Sequence, residues 1–446
     1  MTRSLRFSGL ALAAALLACA CTGGGATPSA GSSPTGTVAP TVAASGSAPA
    51  TAAASAAASA AASALATLAL ITPAPTHTPT PAHWAAAGTL PSANANWSQT
   101  HVLAVSGGKV LVVGDDNFAA PGPPSAMGAE IWDPATSKWT ATGSLPGPRE
   151  YFAAQSLANG KALVFGGEDD NYISLGTAYI YDPATGKWTW AGTMNTEPMS
   201  PASTRLKDGR VMSIGGEYVD AKATIPMSSA EIWDGSTNKW IATGSLHSAR
   251  IGGQAVTLTD GRGLVVGGTD GNNSLKTAEI WTPGTGQWTV IGNLNVSRAE
   301  FTLVALSDGS ALVAGGLDTT TTPEVAVASA ERLNMTTLKW TPIAAMKSAG
   351  ASRISAVMAD GKVLVAGGRS GAHSPAITGA EIFDPTAGTW TATAAMTTTQ
   401  ERSGAVLLSD GSIFVAGGDG GFTGPGSTPW IPDARLTSVR YYPAKP

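Results

Sequence analysis

Residues 307–316 read SDGSALVAGG. Nearly the same line returns as ADGKVLVAGG at 359–368 and as SDGSIFVAGG at 409–418. Each copy joins a turn dipeptide, an apolar run and two glycines, and the copies stand about fifty residues apart. Aligning the chain with itself extends the pattern. Glycine pairs stand at Gly166–Gly167, Gly215–Gly216, Gly267–Gly268, Gly315–Gly316, Gly367–Gly368 and Gly417–Gly418, and Gly114 with Asp115 is a degenerate seventh. A second line follows each pair: AEIWDP from Ala129, AYIYDP from Ala178, AEIWDG from Ala230, AEIWTP from Ala278, AERLNM from Ala330 and AEIFDP from Ala380. A tryptophan then recurs as Trp139, Trp188, Trp240, Trp288, Trp340 and Trp390.

One unit reads as four short strands. From Phe301, FTLVALS is apolar, DG is a two-residue hairpin turn in which glycine accepts positive φ, SALVAGG is the second run, ASAERLN the third and KWTPIA the fourth. Four antiparallel strands repeated in register predict the blades of an all-β propeller. The glycine pair, lacking side chains, predicts a sharp turn with the tryptophan packed close. A tryptophan in every unit, burying about 200 Å², is a core residue rather than a site.

The ends fit the same scheme. SVRYYP from Ser438 aligns with the AEIWDP line, and the sequence then stops without its tryptophan. Trp84 is followed by AAAGTLP, which aligns with the TATGSLP after Trp139 but has no glycine pair before it. The N-terminal piece is therefore expected to supply the outermost strand of the last blade. That closure leaves no open edge between first and last blade. The expectation is seven blades in one domain, residues 81–446.

This repeat resembles the kelch repeat: an apolar strand ending in Gly-Gly, a spaced aromatic and a spaced tryptophan. The resemblance covers about residues 84–443, roughly four-fifths of the chain. It implies a propeller like the central domain of galactose oxidase. In that oxidase the copper is held by two histidines and two tyrosines, one cross-linked to a cysteine. Here the propeller region carries only His101, His247 and His373 and no cysteine. The sequence also stops with the last blade, where the oxidase has a further domain. The resemblance therefore predicts the fold without the copper-radical chemistry.

Upstream, MTRSLRFSGLALAAALLACAC has Arg3 and Arg6 before an apolar run from Leu10 to Ala18, too short to span a bilayer. Residues 1–18 read as a signal peptide. LLAC resembles a bacterial lipobox, which implies lipidation at Cys19, with Cys21 as the rival acceptor; an ordinary secretory signal is the alternative. Two or three acyl chains anchor stably where one does not. Both cysteines of the 446-residue chain lie here, so the propeller is expected to stand on packing alone, with no disulfide. Residues 19–80 are Ala, Ser, Thr, Pro and Gly and cannot bury a core, so they read as a linker, with a reach on the order of 40 Å as a coil. The stretch 52–71 is long enough to span a membrane but only weakly apolar. An extracytoplasmic, lipid-anchored monomer is expected. The net charge of −4 offers no basic field for nucleic acid.

Repetition separates two kinds of residue. Those present in every blade serve the fold. Under this rule Glu130, Glu231, Glu279, Glu331 and Glu381 are blade-to-blade hydrogen-bonding groups, and Arg149, Arg250 and Arg298, at one interval before their glycine pairs, are structural or rim residues. Residues that break the repeat are free for function. The loops after the glycine pairs differ in every blade and hold Asp and Asn beside lone aromatics. Asp116, Phe118, Asp169, Asp170, Tyr172, Tyr218, Asn272 and Trp430 are the expected ligand residues. Carboxylates and amides pair with sugar hydroxyls, and a ring packs on the C–H face of a sugar. Asp115, Asp116, Glu168, Asp169 and Asp170 could also hold a Ca²⁺, although they lack the fixed spacing of a Ca²⁺ loop; the expectation is no metal and no cofactor. Arg149 with Glu150, Arg298 with Glu300, and Glu401 with Arg402 sit between blades on the same face, where a converging pair could transfer protons. No Ser–His–Asp, phosphate-loop or Cys–His motif is present. The reading is a binding module for carbohydrate or cell-wall polymer; the alternatives are a protein-interaction scaffold and a copper-independent sugar isomerase or lyase.

Overall fold

A computed structural model describes residues 80–90, 96–115, 128–219, 224–372, 374–418 and 437–445. Seven four-stranded antiparallel sheets form the blades. Blade 5 shows the plan: Thr302–Ala305, Ala311–Ala314, Ala330–Asn334 and Lys339–Ile343, hydrogen-bonded in chain order. Blades 1 to 6 begin with the strands Asn96–Ala104, Ala153–Ser156, Ala202–Arg205, Gln254–Thr257, Thr302–Ala305 and Ile354–Val357. Blade 7 joins Gly404–Leu407, Ile413–Ala416 and Thr437–Tyr442 to the N-terminal strand His83–Thr89. The first strands of neighbouring blades face one another around the axis, and blade 7 meets blade 1. The ring closes as the sequence predicts, with the N-terminal strand outermost. Among the described residues no helix is long and apolar enough to cross a membrane.

The second strand of every blade is buried along its length; Val110–Val113, Leu264–Val266 and Val363–Ala366 are all at 0% exposure. It is covered on both faces because each blade is sandwiched between two others. The core is therefore a set of interfaces between blades. Leu264, Val266 and Ile280 of blade 4 pack on Leu303, Val313, Leu333 and Trp340 of blade 5. The repeated tryptophans divide by depth. Trp240, Trp288, Trp340 and Trp390 are buried, whereas Trp139 and Trp188 are half-buried. Trp132, Trp233 and Trp281, from the third strands, lie deeper.

Two local expectations are corrected. The DG turn is not a two-residue hairpin loop. In blade 3 Gly209 N–H donates to Leu206 O (3.0 Å) and Leu206 N–H to Arg210 O (2.8 Å), so Lys207, Asp208 and Gly209 form a three-residue loop. Gly209 at φ 89° takes the left-handed place that closes a type I turn, and Asp208 Oδ1 accepts from Arg210 N–H. The glycine pair also does not make room for the tryptophan. A Cβ on Gly166 would lie 2.5 Å from Pro198 O, and one on Gly167 2.3 Å from Glu150 O. The pair lets the end of the second strand touch the backbones of two inter-blade loops. Gly167 N–H donates to Pro198 O (2.8 Å), and Glu150 and Glu168 exchange both backbone hydrogen bonds (2.8 and 2.9 Å).

Candidate functional site at the axial mouth

Strand polarity gathers two loop sets on one face: those between blades and those after the glycine pairs. Where an inter-blade loop turns into a first strand, one residue in each of blades 2 to 7 adopts left-handed backbone. These are Tyr151 (φ 53°), Ser200 (48°), Gly252 (59°), Glu300 (53°), Ser352 (52°) and Arg402 (55°). Their backbones link around the axis. Ser200 N–H donates to Tyr151 O (2.7 Å), Gly252 N–H to Ser200 O (3.3 Å), Ser352 N–H to Glu300 O (2.8 Å) and Arg402 N–H to Ser352 O (3.3 Å). Left-handed backbone costs a residue with a Cβ about 1 kcal/mol, and glycine would avoid that cost. Among these six only blade 4 uses glycine. The other five keep five side chains of four different kinds at one strained position, so the strain belongs to the repeat and the chemistry does not. At Gly252 an added Cβ would meet nothing within 4 Å, so the ring has an open notch there.

Behind this ring stands the residue that follows each glycine pair: Glu168, Glu217, Thr269, Leu317 and Arg369. On the side of blades 5 to 7 the two sets form a charged network. Glu300 Oε2 accepts from Ser352 Oγ (2.5 Å) and from Arg369 Nη2 (2.5 Å). Arg369 Nη1 lies 3.6 Å from Glu401 Oε2, and Arg402 Nη2 lies 3.9 Å from Glu300 Oε1. Burial alone would raise the Glu300 carboxyl, but Arg369, Arg402 and the hydroxyl of Ser352 hold it below its ordinary range. Arg369 is buried, and its Nε has no acceptor among the described residues. On the side of blades 2 and 3 the groups are acidic. Glu217 is buried, Ser200 Oγ lies 3.4 Å from its Oε1, and desolvation raises its carboxyl to about 7 despite that bond.

The recurrent glutamates are structural, as repetition predicts. Glu231 accepts from both backbone and side-chain donors of Asn195 and Thr196 (2.5–2.8 Å) in the loop entering its blade. Glu279 accepts from His247 N–H, Ser248 N–H and Arg250; Glu331 from Asn295, Val296 N–H and Arg298. The arginines are buried. Arg298 Nη1 donates to Gly315 O (2.8 Å) and Ser329 O (3.0 Å), which ties the glycine-pair turn to the third strand. Arg149 does the same with Gly166 O and Thr177 O, but Tyr179 stands where the glutamate would be, its ring centre 5.7 Å from the guanidinium. Desolvation lowers Arg149 to about 10. The expected pairings of Arg149 with Glu150 and of Arg298 with Glu300 do not form, because each arginine turns inward to carbonyls. Glu300, Glu401 and Arg402 do converge, through Arg369.

The described members of the expected ligand set, Asp169, Asp170, Tyr172, Tyr218 and Asn272, lie on the rim of the same face. Asp169 Oδ1 accepts from the N–H of Asn171 and Ile173 (2.9 Å each) and builds its turn, while Asp170 Oδ1 accepts from Asn171 Nδ2 (3.1 Å). Tyr172 and Tyr218 are exposed, and Asn272 is exposed in a turn held by Asp270. Asp116, Phe118, Trp430, His373, Cys19 and Cys21 lie outside the described residues. Sequence reasoning missed Tyr151, Ser200, Glu217, Ser352 and Arg369. The signal was available, since the residue after each glycine pair changes from blade to blade.

With this geometry established, three stretches, residues 157–195, 252–295 and 350–397, match the Kelch motif. The chain is a seven-bladed β-propeller carrying Kelch motifs. No curated protein matches it. A solved structure described as a novel fungal alcohol oxidase with catalytic diversity among the AA5 family, in complex with copper, is similar. It has a TM-score of 0.62 over 82% of this chain and 76% of that one, at 17% identity, a likeness of fold alone. The described histidines do not form a copper set. His101 Nε2 donates to Phe152 O (3.0 Å), His247 bonds Glu279 (3.0 Å), and His83 stacks on Tyr442 of blade 7. Among the described residues no group of three or more His, Cys, Asp or Glu is placed to hold a metal.

Proposed function

We propose that this propeller is an extracytoplasmic binding module whose axial mouth takes a carbohydrate or cell-wall polymer. The observation that carries the reading is the ring of unlike side chains kept at strained positions around the notch at Gly252. Carboxylate, guanidinium, hydroxyl and phenol groups there offer donors and acceptors suited to sugar hydroxyls. Anchoring through Cys19 completes the proposal. Thr437 leads out of the loop-rich face and pairs with Thr89, whereas His83 pairs with Tyr442 at the far end. The chain therefore enters the propeller on the face opposite the mouth.

The test is retention of the full chain on a panel of polysaccharides and cell-wall preparations, with the supernatant assayed for released sugar. Gly252→Tyr closes the notch. It is expected to fold, because Tyr151 occupies the equivalent place at φ 53°. Retention should fall at least about tenfold, which is about 1.4 kcal/mol. Retention unchanged by Gly252→Tyr would remove the mouth as the site, and released sugar would replace the binding module with a sugar-modifying enzyme.

A further inference from the structure

The loop-rich face is not uniform, and its rim over blades 2 and 3 differs from the rest. The inter-blade and post-glycine loops there carry Glu150, Asp169, Asp170 and Glu197 at or near the surface, with Glu168 and Glu217 buried beneath them. The one cation in the described part of these loops is Arg149, which is buried against carbonyls and Tyr179. The corresponding loops of blades 5 to 7 place Arg369 and Arg402 against Glu300 and Glu401. The acidic sector also exposes large apolar groups. Tyr172 (44%) and Ile173 (59%) top blade 2; Tyr218 (40%) and Ile225 (46%) top blade 3 as cross-strand partners in the ribbon Glu217–Val219 with Thr224–Pro226. Four of the nine exposed large hydrophobics among the described residues therefore fall on two adjacent loop tips. Single exposed apolar residues are ordinary, but a group of them beside an excess of carboxylates marks an interaction surface; Asp220 and Lys222 of the blade 3 loop lie outside the described residues. Exposed isoleucines do not stack on sugars, so the axial mouth's ligand does not account for them.

We propose that the blade 2–3 rim docks a protein segment that is basic and carries aliphatic or aromatic side chains. The carboxylates steer and orient a lysine- or arginine-bearing segment, while Ile173, Ile225 and the two tyrosines bury its apolar residues. This surface is separate from the axial mouth and does not depend on what the mouth binds.

The experiment selects displayed random peptides, about a dozen residues long, on the full chain in mild detergent. Enriched peptides should carry net positive charge together with aliphatic or aromatic residues, and should bind more weakly as salt rises. The double variant Ile173→Ser with Ile225→Ser should weaken them at least about tenfold, and Asp170→Lys should do the same. Ile173 and Ile225 are exposed and Asp170 is half-buried at a loop tip, so the variants are expected to fold. Trp190→Ser, at a tryptophan 59% exposed on the outer strand of blade 2, should change nothing, and nor should Gly252→Tyr. Failure to enrich any peptide, enrichment of acidic or uncharged ones, or equal weakening by Trp190→Ser would overturn the proposal. Polysaccharide retention lost on the double isoleucine variant would overturn it in favour of a sugar surface. Sedimentation showing a dimer lost on that variant, with no peptide selected, would assign the rim to self-association.

Discussion

Blades 2 and 5 follow one plan and differ at one buried group. In blade 5 Arg298 bonds two carbonyls and Glu331; in blade 2 Arg149 bonds the equivalent carbonyls and faces Tyr179. Blade 3 shows the converse, with Glu231 capping the loop at Asn195–Thr196 and Pro198 where the arginine would be. Arginine and glutamate are thus two independent devices. The arginine collects carbonyls exposed by the glycine-pair turn, and the glutamate satisfies the amides of the loop entering the blade. Blade 6 moves the arginine to Arg353, which still reaches Gly367 O (3.1 Å) and Gly379 O (3.3 Å); blade 7 uses Gln400, donating to Thr437 O (3.0 Å).

Removing the two arginines should cost unequal amounts of stability. Arg298→Met leaves Glu331 buried without its cation and should cost about 3–5 kcal/mol in denaturant unfolding. Arg149→Met removes hydrogen bonds but strands no charge and should cost about 1–3 kcal/mol. Equal losses would mean that the glutamate is no separate device.

A smaller pair of effects sets the acidic sector against the core of blade 1. Glu217 is raised from 4.5 to about 7, so the folded chain keeps a proton that the unfolded chain has released. That lowers stability as pH rises from 4.5 to 7. Glu217→Gln should therefore gain about 2 kcal/mol at pH 8 and nothing at pH 4. A gain independent of pH would show that packing, not ionisation, is the cause. His101 has the opposite sign. Desolvation lowers it from 6.5 to about 4, against the bond to Phe152 O. Stability present above pH 6.5 is lost as pH falls toward 4. The wild type should lose about 1–2 kcal/mol more than His101→Asn over that window, the smallest effect here because the ring is partly exposed. Parallel pH curves for the two proteins would remove His101 as a titrating core group.

The repeat was legible because it is a local pattern. Turn, apolar run, glycine pair and tryptophan return at one spacing, and each blade must bury the same faces, so seven blades and the closing strand at His83–Thr89 follow from self-alignment. The sequence also marked Glu300, Glu401 and Arg402 as candidates on the inter-blade face, although in pairs that the structure rearranges. What only the tertiary structure decided is where side chains point. Arg298 and Glu300 are two residues apart, yet one turns to carbonyls inside the blade and the other to the axis, because left-handed backbone at position 300 rotates its side chain away. Arg369 lies sixty-nine positions from Glu300 and touches it only because blades 5 and 6 share a ring. Gln400 stands in the aligned arginine column of blade 7, but Arg353 replaces the missing arginine of blade 6 through space, from a position that no alignment column records. A cyclic fold makes neighbours of residues about one repeat apart, so its scaffold is written along the chain and its mouth is assembled across it.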